Sequence, residues 1–221
     1  YVDLGRQGYL KEAVLSEVVR CLEARYYFSE RVYFHHAKIA AGSLVSKAVE
    51  IALLAGGLTF EQLQRATDSG LFDLLARAPV AEPFLRARMQ CFLDALARRK
   101  LPRRVAVYPV YANGGLQAEL IRRFFGAGSA EERWRVERAM SEELRRRTGQ
   151  DIPVMLYCPA GSMQLKQAKM LVQWPSHPGL APLSDFQEQV PRVADLERSY
   201  ARMWKFYVHA LTGETEHLAV A

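Results

Sequence analysis

The stretch Ala24-Arg25-Tyr26-Tyr27-Phe28-Ser29-Glu30-Arg31-Val32-Tyr33-Phe34-His35-His36 carries most of the information in this 221-residue sequence. Its thirteen residues hold two arginines, five tyrosines or phenylalanines, and two adjacent histidines. Upstream, Leu10, Val14, Val18 and Cys21 recur at spacings of three and four, and Leu15 and Leu22 widen the stripe. That periodicity places the run on a helix. Downstream, from about Ala37, Ile39, Leu44, Val45, Val49 and Leu53 form a second broad apolar face. No proline interrupts either segment, and Gly56-Gly57 supplies a stop. The sequence therefore predicts helix from Leu10 to roughly Ala55, with room for a bend near His35-His36.

On such a helix Arg25 and Ser29 are one turn apart, as are Ser29 and Tyr33, and Arg25 and Tyr33 differ by about 80° around the axis. One face can then offer a guanidinium to a phosphate and a phenol to a sugar or base. The competing reading makes the same aromatics part of a core, the commoner fate of large apolar rings. Adjacent histidines point about 100° apart. They are poorly placed to share one metal, because helical zinc sites favour separations such as i and i+4. His177, His209 and His217 sit in unrelated contexts.

Working outward, Thr59 followed by Gln62 has the form of a capping box, opening a short helix through about Ala66. Another short helix is expected from Ser69 to Ala76. A longer one starts at Pro83 and ends in the basic run before Pro102. Then the texture changes. Val105–Tyr108, Ile152–Tyr157 and Met170–Trp174 are short, rich in strand formers and bounded by Pro or Gly. Helical stretches at about 116–125 and 130–147 separate the first two, Pro175–Pro182 reads as a loop, and a final helix is expected from about Ala194 to Leu211. The fold class is thus mainly α: a helical bundle over residues 1–100, followed by a small α+β region over 101–221.

Half the residues are apolar, which suits a globular core. No apolar run approaches the ~20 residues of a membrane span. The chain opens at Tyr1 without a charged-then-apolar leader, so the sequence shows no secretory signal; a start without Met suggests a fragment or a processed product. Cys21, Cys91 and Cys158 form no CxxC pair, and buried reduced thiols in a cytoplasmic protein are the expectation. The net charge is +6, with arginines clustered at 98–104, 122–123 and 145–147. Such clusters can attract phosphates, but each falls near an expected helix C-terminus, where cations complement the helix dipole.

Several of these strings, in order, resemble HD-domain deoxynucleotide triphosphohydrolases. Ala24-Arg25-Tyr26, then Glu30 to His36, then Ala40-Ala41 are similar to that family's "ARY…VYFH" helix. Val154 to Pro159 followed by Met163-Gln164-Leu165-Lys166 resembles its "YCP…M-LK-A" strand and turn, and Met203 to Val208 its terminal "LWRFYV" helix. The resemblance implies an HD-type helical bundle and hydrolysis of a deoxynucleoside triphosphate to nucleoside and inorganic triphosphate, with a metal-bound water attacking the α-phosphorus. It places Arg25 on a phosphate and Tyr33 against the sugar, and it puts His35 and His36 where relatives touch nucleotides. Where some relatives carry a histidine, this chain has Ser29. The resemblance also implies a divalent metal held by a histidine, a His-Asp pair and a distant aspartate. This sequence contains no His-Asp dipeptide, so the reading assigns no catalytic residue and no metal ligand to the chain. The expected partners are a nucleotide and further copies of the chain. A non-catalytic nucleotide-binding or oligomerisation module is the alternative. Nucleic-acid binding through the arginines is a third reading without a supporting motif.

Overall fold

A computed structural model of the protein describes residues 1–159, 169–203 and 205–212. Contacts group the chain into two units. The first comprises residues 1–35, 109–114 and 159–205, and the second comprises 36–108, 115–158 and 206–221. Helix dominates both units, and small sheets complete them, so the fold is mainly α with a minor α+β part.

In the first unit three two-residue strands, β1 (Val2–Asp3), β2 (Gly5–Arg6) and β3 (Tyr9–Leu10), lead into helix α1 (Glu12–Phe28). The helix continues into a π turn, Ser29–Tyr33. The stripe read from sequence is buried only in part: Leu22 lies in a core with Val19, Leu4, Val172, Trp174, Phe186, Val193 and Tyr200, and Leu10, Leu15 and Val18 pack against it, but Val14 is exposed. Cys21 is also exposed, which corrects the expectation of three buried thiols; Cys91 and Cys158 are partly buried. Beyond residue 159 this unit adds β6 (Leu171–Gln173), β7 (Leu180–Pro182) and helix α8 (Pro191–Arg202). Strand β6 pairs in parallel with β1, Val2 opposite Val172, and antiparallel with β7, Val172 opposite Ala181. The Trp174 and Phe186 rings stack at 4.5 Å beneath this sheet's end, and an Arg192–Glu23 ion pair ties α8 to α1.

The second unit opens with α2 (His36–Leu54), so the bend near His35-His36 is a full break between two helices. Helix α2 packs on α5 (Pro83–Ala97) through Leu44, Ala48, Ile51, Met89 and Phe92. Truncating a fully buried leucine such as Leu44 to alanine costs about 2–5 kcal/mol. The Gly56-Gly57 stop is a Schellman cap: Gly57 N–H donates to Ala52 carbonyl at 2.9 Å and Gly56 N–H to Leu53 carbonyl at 3.1 Å. Gly56 has φ +70°, and a side chain on Gly57 would meet the Pro79 carbonyl at 2.8 Å. Two short helices follow, α3 (Phe60–Arg65) and α4 (Asp68–Arg77). The Thr59–Gln62 capping box is present in both directions, at 3.2 Å and 2.9 Å.

Strand β4 (Arg103–Pro109), helix α6 (Val110–Phe125), helix α7 (Ala130–Thr148) and strand β5 (Val154–Tyr157) come next. The expected terminal helix to Leu211 is half wrong. Helix α8 ends at Arg202, and Lys205–Ala210 is a strand, β8, lying between β4 and β5. It pairs antiparallel with β5, from Val154 opposite Ala210 to Tyr157 opposite Tyr207. A central strand covered on both faces reads as a continuous apolar run, which periodicity alone cannot separate from buried helix. Pairing with β5 decided between them. On one face Phe206 packs with Phe124 and Leu156; on the other, the Tyr207 ring stacks on His209. The Met163–Lys166 motif and Trp204 lie outside the described residues.

Candidate functional site

Arg25 stands in the last turn of α1 and is exposed. From Ser29 the backbone changes ladder: Phe34 N–H donates to Ser29 carbonyl, five residues back, at 2.9 Å. A π turn advances fewer degrees per residue than an α turn. Over Ser29–Tyr33 this carries Tyr33 back toward the meridian of Arg25, reducing the ~80° offset of a continuous α-helix. Ser29 itself is 1 % exposed, and its hydroxyl has no hydrogen-bond partner among the described residues.

The aromatics of the run divide. Tyr26 and Phe34 pack against the core of the first unit. Tyr27, Phe28 and Tyr33 do not: all are about half exposed, with Val32 beside them. The Phe28 and Tyr33 rings meet edge to face at 5.2 Å, and the Arg31 guanidinium lies over Tyr27 at 5.9 Å. The core reading therefore fits two of the five rings, and three are left on the surface. His35 follows the π turn, with its N–H donating to the Val32 carbonyl at 3.4 Å, while His36 is the first residue of α2; both are exposed. Arg25, Tyr33 and His35 belong to the first unit and His36 to the second.

Among the described residues no group of three or more His, Cys, Asp or Glu is placed to hold a metal ion. The donor set that a divalent metal needs is not met by these residues. Their chemistry is that of contact: an exposed cation, a phenol and a planar apolar surface.

The sequence reading missed a second polar constellation, buried in the second unit. Lys47 on α2 and Glu137 on α7 are 4 % and 3 % exposed, with Nζ 2.7 Å from the carboxylate. Glu137 also accepts the Leu156 N–H of β5 at 2.7 Å. Glu50, one turn after Lys47, accepts from Lys47 at 3.1 Å and from the Trp134 indole N–H at 2.9 Å, and it pairs with Arg133. The Lys47 ammonium lies over the Trp134 ring at 4.7 Å. Ser141 accepts the Val154 N–H at 2.9 Å and donates to the Glu137 carbonyl at 2.9 Å. Burial raises the Glu137 carboxyl above its ordinary range, and the Lys47 charge counters part of that rise. The signal was present in the sequence: Lys47 falls between Leu44 and Ile51 on an apolar helix face. His209 is a third such group, 1 % exposed, with Nδ1 unpartnered among the described residues. Burial first, and the Arg104 charge second, hold it down at about 4.

No described helix is long and apolar enough to cross a membrane. Comparison with curated proteins and with solved structures returned no match. Residues 9–221 match the family described as HD associated region. The exposed Arg25–Tyr33 surface and the buried polar lattice are thus features of a chain that belongs to the HD associated region family, which links it to HD-domain proteins.

Proposed function

We propose that this chain supplies a substrate-binding wall and an assembly surface of a metal-dependent HD-superfamily hydrolase acting on nucleotides. Its bundle is then of the HD type, and deoxynucleoside triphosphates are its substrates. Nucleoside and inorganic triphosphate are the products. The observation that carries the reading is the exposed guanidinium of Arg25 on the same helix as the exposed ring of Tyr33, joined by a π turn. Arg25 meets a phosphate through its fork of donors. Tyr33 packs on the sugar, and His35 and His36 approach the nucleotide from the helix break. A divalent metal, held by ligands other than the described residues, completes the centre. Tyr27, Phe28 and Val32 give the exposed apolar patch through which copies assemble, since aromatic residues are enriched at subunit interfaces.

The test is release of inorganic triphosphate by the full chain together with its HD region, measured with each of the four deoxynucleoside triphosphates and several divalent metals. Release that falls steeply in Arg25→Ala supports the reading. No release with any nucleotide and metal overturns it, and leaves a non-catalytic binding or assembly module as the alternative. Light scattering after size separation reads the assembly directly.

A further inference from the structure

We propose that a cleft between α5 and α7 in the second unit binds an oligophosphate anion. The cleft has a volume of about 220 Å³ and is lined by Phe84, Arg88, Arg138, Glu142, Arg145 and Asp151, with Ser141 at its base. Three guanidinium groups face it and two carboxylates answer them. Phe84, 39 % exposed, sits at the centre, with the Arg88 guanidinium 5.2 Å and the Arg138 guanidinium 5.4 Å from its ring. Arg88 is buried and fixed, donating to Asp151 at 2.7 Å. Among the described residues Arg138 pairs with Glu142 alone, one turn along the same exposed helix face, at 2.8 Å. An exposed i,i+4 pair of that kind holds weakly, so Arg138 turns to a stronger anion at little cost. Arg145 makes no ion pair among the described residues, whereas its neighbours Arg146 and Arg147 both pair with Glu143.

Convergent guanidinium groups repel unless an anion lies between them, and several planar forks around one small cleft match a chain of phosphates better than a lone carboxylate. The size agrees: drug-sized ligands occupy roughly 300–1,000 Å³, and this cleft is smaller. A larger open groove continues from Phe84 and Arg138 along Leu85 and Trp134, where three carboxylates, Glu82, Glu131 and Glu132, outnumber the guanidinium groups of Arg135 and Arg138. That balance favours an anion in the cleft, where arginines are in excess, and an uncharged group in the groove. The shared chemistry is therefore an oligophosphate, either free or as the tail of a nucleotide whose base rests on Phe84 and Trp134. Arg25 and Tyr33 take no part in this site, so it stands independently of the substrate wall.

Calorimetric titration of the full chain with inorganic triphosphate tests the site, using two charge-matched double variants. All four arginines are exposed, so folding is not at stake. Arg138→Gln with Arg145→Gln is expected to weaken binding about tenfold or more, and Arg146→Gln with Arg147→Gln less than about twofold. Equal weakening by both, or no binding by the unaltered chain, overturns the proposal. A deoxynucleoside triphosphate titrated into Arg25→Ala identifies the source: tighter binding than triphosphate indicates a nucleotide, equal binding a free oligophosphate.

Discussion

Two consecutive helices of this chain put charge to opposite uses. Helix α1 ends in a π turn that leaves Arg25 and Tyr33 at the surface, and among the described residues Arg25 makes no ion pair. Helix α2 buries Lys47 and half-buries Glu50, and these two charges are answered by each other and by Glu137, Arg133 and the Trp134 indole. A buried charge is costly unless it is paired; an exposed one costs little and stays available to a ligand. The lattice around Lys47 accordingly reads as structure, joining α2, α7 and β5, and under the proposed function the exposed Arg25 is the charge left for a ligand.

The comparison breaks most readily at Lys47. Lys47→Met leaves the buried Glu137 carboxylate without its cation and is expected to cost about 3–5 kcal/mol, seen as a large fall in the urea midpoint. Adding Glu137→Gln should recover part of that loss, because the carboxylate that faced Lys47 is then neutral. If Lys47→Met unfolds like the unaltered protein, α2 is no more structural than α1.

The next effect is a pH dependence. His209 has a folded value of about 4, against 6.5 when exposed, so the unfolded chain binds its proton first and stability is lost as pH falls from 6.5 toward 4. The shift corresponds to about 3 kcal/mol across that window. The raised Glu137 carboxyl acts with the opposite sign, the native state taking up its proton first, and so favours folding as pH falls. The difference between the unaltered protein and His209→Phe isolates the histidine. That difference should grow on acidification in favour of His209→Phe; a pH-independent difference would remove His209 from the account.

On α1 the expected effects are in binding, not stability. Arg25→Ala should weaken nucleotide affinity about tenfold, roughly 1.4 kcal/mol, while shifting stability by less than about 0.5 kcal/mol. Equal losses in both would make Arg25 structural, like Lys47. Smallest is Tyr33→Phe, which keeps the ring and its contact with Phe28. Affinity within about twofold assigns the contact to packing, and a larger loss assigns it to the hydroxyl.

Helix starts and stops were legible because their causes are local. Thr59–Gln62, Pro83 and Gly56-Gly57 each satisfy or terminate backbone groups within a few residues. The arginine clusters at 122–123 and 145–147 do close the last turns of α6 and α7, as dipole complementarity predicts. The strand at Lys205–Ala210 was not legible, because Phe206, Tyr207 and Val208 suit either a buried helix or a central strand, and only β5 alongside distinguishes them. The candidate site was half legible. Residue types named Arg25 and Tyr33, but the i+5 bond from Phe34 to Ser29 that rotates Tyr33 is invisible to a reading at 3.6 residues per turn.

By itself, then, the sequence determined where most helices run, how they end, and which residue types crowd into Ala24–His36. Tertiary structure alone decided which of those side chains meet solvent, that Lys47 is buried against Glu137, and that the segment after α8 is a strand. The physical reason is range. Caps and periodicity act within one turn of the chain, whereas burial and strand pairing depend on partners from ~50 to 90 residues away, such as Tyr207 opposite Tyr157 and Glu137 against Lys47.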